Sequence, residues 1–367
     1  MTTLPPETSF WRRNRRRLAA TVLLALAVGV PLLSARRERQ PAYQGRLLMD
    51  WAADLAVQNT ARSAAAREAI VALGPQAVPT LIRTVRRPDP ALAGPLIRVG
   101  RYLPLATYQT LCDWVKPTAN ATARSHALRA LALLGPVAEP AVPTLARITR
   151  APPPNQRVTE WMQATQALGK IGRAAVAPLL DAFTNAPDHL RVHPLLAFAE
   201  VGPAAAEAIP AVLAVFTTKP NAEWSALAGF LCAAGGETTL PQFLQHLDSP
   251  DPVLQFKASE VLYQMAECSS AVRDGLIAAG GTQPTRVRFE VVRALGRLSA
   301  TRGVVARFMI HALQDPDEGI RLEGAVWLRE RLSPAAISYL LANESAGVQA
   351  RARQVLDTVP GSASPVP

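Results

Sequence analysis

The sequence predicts an all-α chain: a right-handed α-solenoid of about ten helix pairs, preceded by one N-terminal transmembrane helix. Three observations lead there. An uncharged apolar run, Leu18–Ala35, is bracketed by arginines. A small-residue, leucine and glycine pattern then recurs along the remaining chain, with a mean period of about 32 residues. No stretch reads as alternating strand.

The first element is the apolar run. Arg12, Arg13, Arg15, Arg16 and Arg17 precede it, and Arg36, Arg37 and Arg39 follow. Its 18 residues span roughly 27 Å as a helix, enough for the hydrocarbon core of a bilayer. A cleavable signal peptide fits less well. Leu33 spoils the small-x-small pattern that ends at Ala35, and Arg36 would follow the cut. An uncleaved signal anchor is therefore expected. More arginines lie before the span than after it, which places residues 1–17 in the cytoplasm and the remaining chain outside it.

Composition agrees with a large folded body beyond a short linker, residues 36–44. Of 367 residues, 49% are apolar and 18% charged, which excludes wholesale disorder. The formal net charge is +11, but residues 1–40 hold eight arginines against Glu7 and Glu38. Residues 41–184 carry 16 basic and 8 acidic groups, whereas residues 185–367 carry 15 and 18. No continuous phosphate track follows, so nucleic acid is not an expected partner. Three cysteines, Cys112, Cys232 and Cys268, make an odd set without CxxC spacing. They exclude a disulfide scaffold and a zinc ribbon.

The repeat elements come next. Segments Ala66–Gly74, Ala127–Gly135, Ala164–Gly172 and Pro194–Gly202 share one pattern, and a proline-marked apolar stretch follows each. Anchors fall at Gly74, Gly100, Gly135, Gly172, Gly202, Gly235, Ala266, Ser299, Leu332 and Pro360. Four residues before them lie Ile70, Leu96, Leu131, Leu168, Phe198, Leu231, Leu262, Leu295, Leu328 and Leu356, all large and apolar. Eight before stand Ala66, Ala127, Ala164, Ala258 and Ala352. That spacing puts both rows on one helix face. The alanines let neighbouring helices approach, and the larger residues fill the seam. Each glycine ends a helix with a left-handed position, and the proline opens the next one. The solenoid is expected over 45–359, and 360–367 is expected to be a disordered tail.

These residues resemble a known family. The Asp-Pro-Asp turn within Gln314–Asp317, the Val287–Arg288 and Ile320–Arg321 pairs, the Ala and Leu rows and the terminal glycines resemble HEAT repeats of the short bacterial, phycobilin-lyase-like type. The likeness covers residues 45–360. Tyr43, Gly45 and Trp51 also resemble the lead-in of membrane-anchored bacterial HEAT proteins, which implies that Tyr43 and Trp51 cap the first helix pair. Two departures stand out. Repeat two, Pro88–Gly100, is interrupted by prolines, and Arg331 breaks an apolar row.

Chemistry was sought and none is expected. No histidine is followed by glutamate, which removes the di-iron pattern known on this fold. His189 and His193 lie one helical turn apart beside Asp188, but no third metal ligand is near in sequence. Cys112 and Cys232 sit in apolar helical patterns, where thiols serve as small core residues. The chain is thus expected to be no enzyme and to need no cofactor. Its expected role is that of a scaffold for a protein partner.

Two candidate surfaces accompany that role. Eleven residues before the anchors run Arg124, Trp161, Arg191, Trp224, Arg288 and Arg321. Two readings stand for this row: the arginines pair with turn aspartates or backbone carbonyls between repeats while the tryptophans pad the stack, or, because tryptophan and arginine are enriched where a few side chains dominate binding, it is a partner-binding face whose tryptophans could also stack against a glycan. The basic cluster Arg83, Arg86, Arg87, Arg98 and Arg101 lies nearest the span and is the expected contact with anionic lipid.

Overall fold

A computed structural model describes residues 40–57, 60–89, 105–115, 118–151, 157–219, 224, 226–298 and 302–359. The anchor at 18–35, Leu96, Gly100, the arginines Arg98 and Arg101, and the tail 360–367 lie outside the described residues.

The chain opens on a hairpin, Ala42–Tyr43 against Arg46–Leu47, in which Ala42 pairs Leu47 and Tyr43 pairs Arg46. Gln44 and Gly45 both take positive φ, the requirement of a tight two-residue turn. This corrects the expectation of no strand: ladders of two residues are too short to show alternation. The hairpin seats α1 (Leu48–Asp54). Trp51 is buried, donates from Nε1 to the Tyr43 carbonyl at 3.2 Å, and has the Arg46 guanidinium 4.0 Å above its ring.

The remaining helices form two layers. One layer, the row helices, comprises α2 (Thr60–Leu73), α5 (Ala119–Leu134), α7 (Val158–Ile171), α9 (Val192–Val201), α11 (Leu227–Ala234), α13 (Pro252–Cys268), α15 (Thr285–Gly296), α17 (Glu318–Arg331) and α19 (Ala346–Thr358). The return layer comprises α3 (Val78–Val85), α6 (Val142–Thr149), α8 (Val176–Asn185), α10 (Ile209–Thr218), α12 (Leu240–Leu247), α14 (Ser270–Thr282), α16 (Arg302–Ala312) and α18 (Pro334–Ala342). From α5 to α19 each row helix packs on the next. One apolar core runs from Leu48 to Val359. The described members of the leucine row and the alanines eight positions before the anchors all lie in it.

The second expected repeat, residues 88–100, lies outside the described residues but for Pro88 and Asp89. Helix α5 packs directly on α1, α2 and α3. The prolines of 88–104 already signalled a departure, and α4 (Leu105–Val115) follows it. Arg331 ends α17 in solvent, where Leu73, Leu134, Ile171, Met265 and Leu298 hold the same register buried, so the apolar row is interrupted there.

The turns change chemistry along the chain. Early row helices end on glycine with positive φ, and 3-10 segments such as Gly135–Ala141 and Gly202–Ala208, each with proline near its start, lead into the return helix. Beyond Gly235 the caps become polar. Asp251, Ser269, Asp317, Ser333 and Ser345 each accept a backbone N–H from the first helical turn.

Gly169 sets the closest approach of two row helices. A Cβ there would lie 2.9 Å from both Cα and O of Ala197 on α9, with only backbone to yield. Gly169→Ala is therefore expected to destabilise by about 1–3 kcal/mol through overpacking. A urea titration checks this, and an unchanged midpoint would contradict the seam.

Among the described residues, Asp188–Thr218 is long and apolar enough to cross a membrane, with a mean hydropathy of 1.4 over its best window. It is internal, not N-terminal. It folds as α9, a Gly202 turn and α10, with Leu195, Phe198, Val212 and Phe216 fully buried. Its apolarity is that of a core repeat.

Candidate binding surface

The Arg/Trp row stands at or just ahead of the starts of successive row helices, with Arg191 and Trp224 preceding α9 and α11, and the structure places most of it inside. Arg124, Trp161, Arg191 and Trp224 are each at most 3% exposed. Arg124 pairs with Asp89 at 2.7 Å and Glu160 at 3.1 Å and donates to the Arg87 carbonyl at 2.9 Å. Trp161 Nε1 donates to the Thr149 carbonyl at 3.1 Å, and Trp224 Nε1 to that of Lys219 at 3.1 Å. Arg191 pairs with Asp188 and donates to the Phe183 carbonyl at 3.3 Å.

The same device continues at the other end. Arg288 makes a bidentate pair with Asp315, both contacts at 2.8 Å, and Arg321 donates to the carbonyls of Asp315 and Pro316 at 2.9 and 2.7 Å. The common task is visible. The C-terminal carbonyls of a return helix, or of the turn after it, lack intrahelical partners, and a long donor on the row helix meets them. Arg124, Trp161, Arg191 and Trp224 are thus buried and engaged within the stack, whereas Arg288 and Arg321 remain half-buried. Trp161 and Trp224 likewise offer no stacking platform for a glycan.

The electrostatics follow from the same contacts. The hydrogen bond from Arg124 holds the Asp89 carboxyl below its ordinary range. Asp315 is lowered too, because the bonds from Arg288 and the Asp317 N–H outweigh its burial. Burial pushes His193 down, and its ring stands edge-on to Trp161 at 6.3 Å. Asp188 is engaged by Arg191 and Lys219, so this histidine pair has no carboxylate to share a metal.

The exposed face lies one register further on. Phe256, Phe289 and Leu322 stand ten residues before their anchors, each 33 residues from the next. Phe256 is 60% exposed and Leu322 48%, while Phe289 is half-buried beneath Arg293, whose guanidinium is 5.9 Å from its ring. One and two turns along α13 are Glu260 and Tyr263, both engaged by Arg297 of α15, which lies 4.3 Å from the tyrosine ring. On α9 the same face carries Leu196, 52% exposed. Between them, among the described residues, α11 offers Gly229, with open space where a side chain would stand. The face is therefore an apolar and aromatic strip with a low step at α11. Sequence reasoning stopped one residue short of it. The 33-residue spacing of Phe256, Phe289 and Leu322 was the available signal.

At that step the cysteines depart from expectation. Cys232 of α11 and Cys268 at the end of α13 form a disulfide, with Cα atoms 6.4 Å apart, and Cys112 is free. The bond clips consecutive row helices. Their sequence separation of 36 resembles no spaced motif, because stacking and not the local chain brings them together. A cleft of about 510 Å³ lies between α14 and α16, bordered by Ile277, Phe308, His311 and Asp315. Its carboxylate is already held by Arg288.

Of the arginine cluster expected to meet lipid, Arg83, Arg86 and Arg87 are exposed at the end of α3. Arg86 reaches across to Thr144 Oγ1 on α6 at 2.8 and 3.0 Å.

Neither a protein-family model nor a curated protein matches the chain. Among solved structures, it is similar to the complex of CpcE and CpcF of phycocyanin lyase from Nostoc sp. PCC7120, at 17% identity and a TM-score of 0.25, over 88% of this chain and 98% of that one. It is also similar to an engineered protein at 16% identity and a TM-score of 0.28, over 84% and 98%. The first match corrects an expectation. The chain was read as no enzyme because it lacks catalytic motifs, yet a lyase complex stands among its structural matches, so that exclusion is withdrawn.

Proposed function

We propose that this chain is a membrane-anchored, HEAT-like solenoid that holds a protein partner along the strip formed by Leu196, Phe256, Phe289 and Leu322. The observation that carries the reading is the repetition of large apolar side chains at one register of three consecutive row helices, α13, α15 and α17, exposed at Phe256 and Leu322 and half-buried at Phe289. Row helices in contact stand roughly 10 Å apart, a spacing suited to a polypeptide segment that presents its own apolar residues at intervals. Rigid helix pairs offer such extended surfaces without reorganisation. In this reading residues 18–35 anchor the chain, with the solenoid outside the cytoplasm. The Cys232–Cys268 disulfide supports that side, since such bonds persist in oxidising compartments.

Site-specific photocrosslinking in intact membranes tests the strip. A crosslinker at position 256 or 322 is expected to yield one discrete protein adduct, lost on Phe289→Glu, and a crosslinker at the exposed Val137 none. Equal labelling from Val137 would show that the strip has no privileged role.

A further inference from the structure

We infer that the arginines at the C-terminal ends of α3 and α6 form a docking surface for an anionic bilayer, which seats the first units of the solenoid against the membrane. The inference rests on the reading of 18–35 as an anchor and adds the surface that meets the lipid.

The argument begins with reach. Four residues separate Ala35 from Gln40, where the described structure begins. The five steps from one to the other cover roughly 17 Å at full extension, so the first units cannot leave the vicinity of the bilayer. The path from the tether to the arginines is short. The hairpin leads into α1, where Met49 Sδ lies 3.8 Å from Thr84 Oγ1 on α3. One turn further α3 ends at Arg86 and Arg87, and Arg86 bridges to Thr144 on α6. On α6, Arg147 and Arg150 repeat the positions that Arg83 and Arg86 hold on α3, since VPTLIRTVR and VPTLARITR share one register. The result is a patch of five exposed arginines, Arg83, Arg86, Arg87, Arg147 and Arg150, on adjacent return helices.

Arginines at helix C-termini also complement the helix dipole, so the contrast with the next units decides. Helix α8 has no basic residue in its last turn or at its cap and carries the exposed Asp181 near its end, and α10 has only Lys219 at its cap, already paired with Asp188 at 3.6 Å. The concentration is confined to the units that the tether holds closest to the bilayer. Clustered basic groups beside an anchor are what anionic headgroups attract.

The test uses the full-length chain in nanodiscs of zwitterionic lipid alone or with one-third phosphatidylglycerol, read by hydrogen exchange. With the anionic lipid, the segments 82–89 and 146–151 are expected to exchange at least about fivefold more slowly, the factor that one arginine near such a surface supplies. High salt should remove the difference, and 240–247 on α12 should show none. Arg147→Gln with Arg150→Gln should halve the effect or more at an unchanged melting temperature, and adding Arg83→Gln and Arg86→Gln should abolish it. Equal exchange in the two lipids overturns the proposal while leaving the anchor intact. A chain that fails to co-purify with either nanodisc overturns the anchor itself. Protection by a soluble polyanion in detergent, without protection by the anionic nanodisc, would assign the patch to another ligand.

Discussion

Replacing Arg124 with leucine is expected to lower the stability of the solenoid by about 3 kcal/mol, the lower end of what breaking a buried ion pair costs. Asp89 remains 35% exposed in its side chain and keeps Arg157 at 3.2 Å, which limits the loss. Glu160, at 16%, loses the cation beside it, and the Arg87 carbonyl loses a donor. The pH dependence supplies a signature that plain cavity formation would not. The hydrogen bond from Arg124 depresses Asp89 in the folded state. Its contribution is therefore complete above the unfolded carboxyl value near 3.8 and fades as pH falls through the lower folded value. The gap between the denaturant midpoints of Arg124→Leu and the unaltered chain should begin to narrow below about pH 4, leaving the part owed to the Arg87 carbonyl. A constant gap down to pH 2 would show that Arg124 acts by packing alone.

The second large effect is at Trp161. The side chain is 1% exposed and forms a small cluster with Ala182, Ala186 and Leu190, apart from the main core. Trp161→Ala is expected to destabilise by about 3–5 kcal/mol through the cavity it leaves. It also abandons the Thr149 carbonyl at the end of α6. Phe256→Ala, one register on and three repeats along, should stay within about 0.5 kcal/mol. The pair separates the two rows in one thermal or chemical unfolding experiment. Equal losses at the two positions would remove the distinction between an interior row and an exposed one.

That distinction marks where sequence reading succeeded and where it stopped. The helix face carrying Leu131, Leu168, Phe198 and Leu262 was legible, because a buried seam repeats the same side-chain size at every unit. The helix ends at Gly135, Gly172 and Gly202 were legible because their positive φ restricts the residue type. The side of the row eleven residues before the anchors was not. Arginine and tryptophan suit a contact surface and equally suit an interior with unmet carbonyls, and only the position of Thr149, Phe183 and Lys219 decides. The disulfide was hidden for a related reason. Cys232 and Cys268 meet through the stacking of α11 on α13, which no local spacing encodes. The hairpin at Gln44–Gly45 was too short for its alternation to register.

The measurement that bears most directly on an anchored solenoid working outside the cytoplasm is made on intact spheroplasts. Protease is added without lysis and residues 41–367 are followed by blotting, while a parallel sample is alkylated with and without reductant. The account predicts digestion of the solenoid in unlysed cells, and labelling of Cys232 and Cys268 only after reduction. Reduction should also remove about 3–4 kcal/mol of stability, the value expected for a loop of this length. Protection from protease until lysis, with both cysteines free to react, would place the solenoid in the cytoplasm and contradict the account.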